Sequence, residues 1–332
     1  MSAQFRRTRR PLPGVAVAGA TATISGVSIY VNSFGVHSFS SPAVYTTAKN
    51  LVATVALVVA STLAMVWRHR RSTSAMDRFV GKPNLGDDRR LGTRQWLGLA
   101  YVGVIGGGLA FVLFFDGLAT SQPASAAFWR DSLVLWVAIL AVVFLRERLR
   151  WWNVAAMVLL VVGEIVVTGG VGQLGANRGE VYVVTSSGLW AGEVVVARKL
   201  LSTLAPATLS VVRMGVGALT LVVYLAVTGS LSMLASLTAH QLTWALWTGM
   251  LLAAYVATWM SALARARALD VTSILVASAL ITWTLQLIAG AVVPAPSSLG
   301  LVLIALGAGL LWWAARRGPE GSVPRRPSGL GL

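Results

Sequence analysis

Ten long apolar runs, separated by charged or turn-forming clusters, constrain this chain more than any other feature. They cover residues 15–33, 43–67, 96–116, 124–145, 151–168, 181–200, 207–228, 242–264, 272–292 and 298–315. About 20 apolar residues carry a helix across a bilayer core, where every backbone polar group must find a partner within the protein. Each run therefore predicts a transmembrane helix. None alternates apolar and polar residues with period two, so an outer-membrane barrel is a poor fit. The predicted fold class is an all-α polytopic membrane protein with ten transmembrane helices.

Composition agrees. Of 332 residues, 56% are hydrophobic and only 11% charged, with a mean hydropathy of +0.74. A soluble domain carries roughly twice that share of charge. Disulfides and thiolate chemistry are excluded because there is no cysteine. The net charge of +16 invites a nucleic-acid reading, but its placement argues otherwise. With the N-terminus inside and the ends alternating, 23 of the 27 Lys and Arg residues fall on the inside face, eight of them between Arg68 and Arg94. Only Arg178 falls outside, while Lys49, Arg130 and Arg213 lie within runs. This is the positive-inside pattern, and it predicts cytoplasmic N- and C-termini in a cell (plasma or inner) membrane. No nucleic-acid partner is expected. The Arg6-Arg7-Thr8-Arg9-Arg10 stretch resembles a signal n-region, yet no small-residue cleavage site follows, so 15–33 is read as an uncleaved first span. Trp67, Trp96, Trp151, Trp152, Trp244, Trp247, Trp312 and Trp313 sit at run ends, as an interfacial aromatic belt requires.

The two halves of the chain repeat each other. Ser25-Gly26 matches Ser187-Gly188. Pro42-Ala43 followed by Lys49 matches Pro206-Ala207 followed by Arg213, the cation coming seven residues after the proline both times. Thr46 matches Ser210, and Leu118-Ala119-Thr120-Ser121 resembles Leu269-Asp270-Val271-Thr272-Ser273. Five spans is an odd number, so two similar halves of five must sit upside down relative to each other. Secondary transporters use such inverted repeats to build a binding site near the midplane. The predicted organisation is a cytoplasmic tail at 1–14, a first five-helix repeat at 15–168, a second at 181–315 and a cytoplasmic tail at 316–332.

Over residues 15–315 these features resemble the EamA-like branch of the drug/metabolite transporter superfamily. The stretch Phe114 to Leu149, ending in Glu147-Arg148-Leu149, resembles the family's link between spans 3 and 4, its fourth span and the motif that closes it. The Pro42…Lys49 and Pro206…Arg213 patterns resemble its second and seventh spans. The resemblance implies a ten-helix inverted-repeat carrier of small metabolites, often an exporter, with a central cavity formed by spans 1, 3, 4, 6, 8 and 9. The chain departs from the family in three places. Arg146 stands where a glycine is usual before Glu147. The second half has Val293-Pro294-Ala295-Pro296 in place of a second Glu-Arg-Leu. The prolines usual near the middle of spans 4 and 9 are absent.

Seven charged residues fall within or at the edge of spans: Lys49, Asp116, Arg130, Asp131, Glu164, Glu193 and Arg213. Each would cost about 3 kcal/mol if left ionised and unpaired at the bilayer centre. They must therefore pair, meet water or reach an interface. Glu193 is the leading candidate for the substrate cavity. It shares one helical face with Ser186 and Trp190, and Thr21, Ser25, Ser28 and Asn32 form the corresponding stripe in the first span. By the repeat, Ser28 corresponds to Trp190. Arg130 and Asp131 are adjacent, so their side chains should diverge by about 100° and not pair with each other. Arg130 suits a carboxylate or phosphate, or else an internal ion pair. Lys49 and Arg213 are expected in a gating or structural ion pair, with substrate binding as the alternative. Asp116 is expected to be hydrated at a span end, and Glu164 to be peripheral. Tyr255 with Trp259, and Thr282 with Gln286, are i, i+4 pairs that complete the predicted cavity, and Tyr101 and Trp283 are weaker candidates for it. The Gly106-Gly107-Gly108 run predicts close helix packing.

A membrane-embedded enzyme is the first competing class. The three histidines fall outside span interiors, and no HExxH, paired metal ligands or phosphate-binding glycine loop is present. Neither a catalytic nor a metal site is assigned, and no cofactor is expected. A channel or a structural membrane protein is the second competitor. The sequence thus predicts a secondary transporter exporting small metabolites such as amino acids or drug-like organic compounds. Its expected partners are a small-molecule substrate and the lipid bilayer, with protons as coupling ion or, alternatively, facilitated exchange without them.

Overall fold

A computed structural model describes residues 14–72, 92–121, 129–147, 149–167, 169, 177–290 and 295–317, and among these the chain is helical, with no strand. The chain ends, most of the basic segment from Arg68 to Arg94, the start of the predicted 124–145 span, Arg148 and Val293-Pro294 lie outside the described residues.

Helix α1 (Gly14–Gly35) passes through a 3-10 turn, Val36–Ser38, into α2 (Pro42–Ser72). The proline stands at the first helical position, where a missing N–H costs nothing. Next comes a long rod of three segments: α3 (Thr93–Ala100), a π-helix over Tyr101–Leu109 and α4 (Ala110–Thr120). A helical turn at 129–131 precedes α5 (Leu133–Leu145), and α6 (Trp151–Val167) follows. The second half opens with α7 (Arg178–Leu200), capped by a reciprocal Asn177–Glu180 box. The Asn177 side chain accepts from the N–H groups of Gly179 and Glu180, and the Glu180 carboxylate accepts from Asn177 N. There follow α8 (Pro206–Val227), the short α9 (Leu231–Ala235) and α10 (Ala239–Arg265). The last elements are α11 (Ala268–Leu275), α12 (Ala277–Ile288) and α13 (Ala295–Arg317).

Among the described residues, six stretches are long and apolar enough to cross a membrane: Gly14–Ser38, Pro42–Trp67, Thr93–Gly117, Pro206–Val227, Ala239–Arg265 and Ala268–Ile288. Helix α7, at 23 residues, spans ~35 Å. It is less apolar because it carries Glu180, Glu193, Arg198 and Lys199. Two predicted spans are not simple rods. The 124–145 run is interrupted at Ser132, and the 272–292 run starts earlier, at Ala268, and is interrupted at Val276. Neither break has a proline. At each, the backbone tightens to i+3 bonds, from Leu135 N to Ser132 O and from Ala279 N to Val276 O.

The outside of the bundle is apolar. Leu63, Ile139, Val143, Leu219, Val227, Trp247 and Ile288 are among many large exposed hydrophobic side chains. Inside, by contrast, lie Lys49, Asn50, Glu193, Arg213, Ser186 and Ser187. A soluble protein has the reverse arrangement. The surface suits hydrocarbon, and the chain is a multi-pass membrane protein.

The larger helix pairings run between the halves. α1 packs on α10, α11 and α12, while α7 packs on the α3–α4 rod and on α5. α2 packs on α10, and α8 on the π-helix. α2 also meets α8, α5 meets α11, and α6 meets α13. Exchanging first-half helices for their second-half counterparts maps this set of pairings onto itself. Two close crossings follow the same rule. A Cβ on Gly107 would stand 2.5 Å from the carbonyl oxygen of Arg213, and one on Gly249 would stand 2.9 Å from that of Lys49. Only glycine lets the rod and α10 approach the partner backbones so closely, as the glycine run predicted for packing.

Candidate functional site

The π-helix organises the polar centre of the bundle. Trp190 Nε1 of α7 donates to its Gly106 carbonyl at 3.0 Å. One turn along α7, the Glu193 carboxylate lies against Gly106 and receives a bidentate ion pair from Arg213 of α8. Nε donates to Oε1, and Nη2 donates to Oε2 at 3.1 Å. Both side chains are almost wholly buried, at 4% and 8% exposed. Burial without a counter-charge would cost several kcal/mol per ion, and the fork geometry of arginine on carboxylate offsets that cost.

A second polar group forms around Lys49, the repeat counterpart of Arg213. Lys49 Nζ donates to Asn32 Oδ1 at 3.1 Å, and the Tyr45 hydroxyl donates to the same oxygen. Asn32 Nδ2 donates to the carbonyl and hydroxyl oxygens of Ser28, at 2.6 and 2.9 Å, which fixes the orientation of the amide. Lys49 Nζ also lies 4.9 Å from the centre of the Tyr45 ring and 6.0 Å from that of Phe115. Between the two groups runs a chain of rings. Phe115 stacks on Phe111 at 6.4 Å, and both Phe111 and Phe114 meet Trp190, at 5.2 and 5.5 Å. The Arg213 guanidinium lies 5.9 Å from the Phe111 ring.

The predicted ion-pair roles of Lys49 and Arg213 divide. Arg213 has its carboxylate. Among the described residues Lys49 has none, and the partner that α1 presents to it is the neutral Asn32. The expectation for Arg130 and Asp131 is also corrected, since Arg130 Nη1 stands 3.2 Å from Asp131 Oδ1. The ~100° divergence applies to the Cβ directions; the long, flexible arginine stem curls back at the helical turn that ends at Ser132. Glu164 feels the field of that pair. Asp116 is exposed, as expected, and lines an open cleft of about 570 Å³ with Thr120, Asn177, Arg178, Gly179 and Tyr182. Tyr255 and Trp259 stack with centres 6.1 Å apart, and Trp259 is buried. Thr282 donates to Gly26 O at 3.0 Å, tying α12 to α1, and Gln286 is half-buried nearby on α12. Ser187 makes the corresponding tie from α7, donating to Trp129 O at 3.1 Å. Among the described residues, no three His, Cys, Asp or Glu side chains cluster to hold a metal ion.

Several working residues were not anticipated. Tyr45 is fully buried beside Lys49 at i, i+4 spacing, a signal present in the sequence. The Phe111-Phe114-Phe115 cluster was read only as apolar. Glu147 reaches across to the second half, where Oε1 accepts from Ala268 N at 2.9 Å and Oε2 from Leu269 N at 3.1 Å. It thereby caps α11 from another helix. Burial pushes the Glu147 carboxyl above the usual range, against the lowering pull of those two N–H groups and of Arg267. Arg267 in turn pairs bidentately with Asp270.

Residues 12–169 match the EamA-like transporter family. By that match the first half of the chain belongs to the EamA-like family, within the drug/metabolite transporter superfamily. This is a family of membrane transporters and not of enzymes. No curated protein matches the chain. A solved crystal structure superimposes with a TM-score of 0.67, covering 90% of this chain and 97% of its own, at 17% identity. The chain thus shares the fold of that structure over 90% of its length.

Proposed function

We propose that the chain is a secondary transporter, built as ten transmembrane helices in two inverted five-helix repeats, 15–168 and 181–315, with tails at 1–14 and 316–332. The self-mapping of the helix pairings and the matched Gly107 and Gly249 crossings support this organisation. The charge placement supports cytoplasmic termini in the cell membrane. One observation carries the function: the buried Arg213–Glu193 pair lies where α7, α8 and the π-helix meet, deep in a bundle whose outer surface is apolar. Intramembrane charge of this kind marks substrate and ion pathways.

The site comprises Glu193, Trp190, Asn32, Ser28, Tyr255, Trp259, Thr282 and Gln286, with Lys49 and Arg213 on either side and the Arg130–Asp131 pair towards α5. The two halves rock around it and expose it alternately, moving a small metabolite outward. A proton arriving at Glu193 competes with Arg213 for the carboxylate and couples transport to the proton gradient. Counterflow in proteoliposomes, against a panel of amino acids, purines, aromatic acids and organic amines, tests the carrier. Saturable accumulation driven by internal substrate is expected, whereas flux without counterflow would replace the carrier with a channel. If Glu193→Gln leaves the pH dependence of transport unchanged, the proton role is wrong.

A further inference from the structure

The repeat is broken at one charge. Arg213 meets Glu193 of α7. In the register that pairs Ser25 with Ser187, the α1 position corresponding to Glu193 is Val31. Lys49, the counterpart of Arg213, therefore has no acid to meet. Among the described residues no carboxylate stands within ion-pair distance of it. Its side chain is nevertheless only 9% exposed. An ammonium has three donors, and one of them goes to Asn32. The rings of Tyr45 and Phe115 face it without carrying charge. Elsewhere in the spans Arg213 is compensated by Glu193, and Arg130 by Asp131 beside Glu164. The Lys49–Arg213–Glu193 region thus holds two cations and one carboxylate.

A buried cation lacking its counter-ion favours a ligand that brings one. What lies between Lys49 and Arg213 is aromatic. Phe111, Phe114, Phe115 and Trp190 form one ring cluster, each half-buried and keeping part of its surface uncovered. Lys49 is a point charge with no arginine fork and no helix N-terminus beside it. That suits a singly charged carboxylate better than a dianionic phosphate. We infer that the site binds a small aromatic carboxylate, its anion on the Lys49 ammonium and its ring among Phe111, Phe115 and Trp190. The inference rests on the carrier reading above and narrows its substrate class, since organic cations meet a site that already has an excess of positive charge.

Equilibrium binding of radiolabelled phenylacetate to the purified full chain tests this, with phenylacetamide as neutral isostere and phenethylamine as cation. Wild-type protein is expected to bind phenylacetate saturably, with displacement by neither analogue at equal concentration. Lys49→Met removes an isolated buried charge and should fold; it is expected to weaken binding about tenfold or more, while Lys49→Arg retains it. Asn32→Asp supplies Lys49 with an internal counter-ion at the same place and is expected to abolish binding with Lys49 intact. The inference is overturned if folded wild-type protein shows no saturable phenylacetate binding, if phenylacetamide or phenethylamine binds as tightly, or if Lys49→Met or Asn32→Asp binds like wild type. Counterflow with the same probes separates it from the carrier reading. Binding without counterflow rejects the carrier and leaves the anion site; counterflow of phenethylamine but not phenylacetate rejects the anion site and leaves the carrier.

Discussion

The Glu193 carboxylate lies so close to Gly106 that a Cβ there would come within 2.3 Å of Oε2 and 2.4 Å of Cδ. The π-helix and the ion pair are therefore one unit: the rod presents bare backbone where α7 presents its acid. Gly106→Ala is expected to push Glu193 off Arg213. The cost should be about 1–3 kcal/mol of stability, as for overpacking, together with most of the transport activity. Thermal unfolding and counterflow of the variant check both.

Removing one member of the pair should be worse than removing both. Glu193→Ala leaves the Arg213 guanidinium buried and unpaired, and a loss of about 3–5 kcal/mol is expected. The double variant Glu193→Ala/Arg213→Met should recover much of that stability but not transport. A double-mutant cycle on thermal stability supplies the coupling energy.

Arg146 has φ +55° and ψ +32°, a left-handed conformation at the C-terminus of α5, where the N–H groups of Arg146 and Glu147 both return to Ala141 O. Glycine adopts this conformation without Cβ strain. The departure noted at this position is thus a strained one. Arg146→Gly is expected to stabilise the protein by about 0.5–1 kcal/mol, read as a higher midpoint in thermal unfolding.

Glu147 caps α11 across the interface between the halves. Glu147→Ala should cost about 1 kcal/mol, and Glu147→Gln less, since one side-chain oxygen remains to accept. The pH dependence has a definite sign. The folded-state pKa is raised, so the folded chain holds this proton more tightly than the unfolded chain. Its contribution to stability is complete below the usual glutamate range and is lost as pH rises through the raised value. The stability of wild type relative to Glu147→Gln should therefore fall as pH rises from the usual glutamate range through the raised value. Unfolding midpoints of the two proteins across that range measure it.

The helical, membrane-spanning character was legible from the sequence, because run length and apolar composition are set by the bilayer and do not depend on which helices touch. Glu193 and Arg213 were both found as intramembrane charges, but their partnership was not. It depends on the crossing of α7 and α8 at the π-helix, a tertiary fact with no local signature. The Arg130–Asp131 pair was misjudged because Cβ direction was used for a side chain whose charge sits at the end of a flexible stem. Glu147 was recognised as part of a motif, yet its role became visible only when Ala268 and Leu269, more than a hundred residues on, were brought to it. The Asn177–Glu180 box, in contrast, is a four-residue pattern that a closer reading of the sequence would have found.

The exchange of partners between the halves also bears on how the protein is made. The contacts of α1 lie with α10, α11 and α12, and its Gly26 carbonyl waits for Thr282, 256 residues downstream. At a synthesis rate of roughly 5–20 residues per second, α1 rests in the membrane for on the order of 10–50 s before its neighbours exist. Thr21 and Thr23 bond back to carbonyls of their own helix, and Asn32 to Ser28, so much of the polar side of α1 is already satisfied during that interval. The nascent first helix can reside in lipid alone, and the bundle closes only after α10, α11 and α12 have been made.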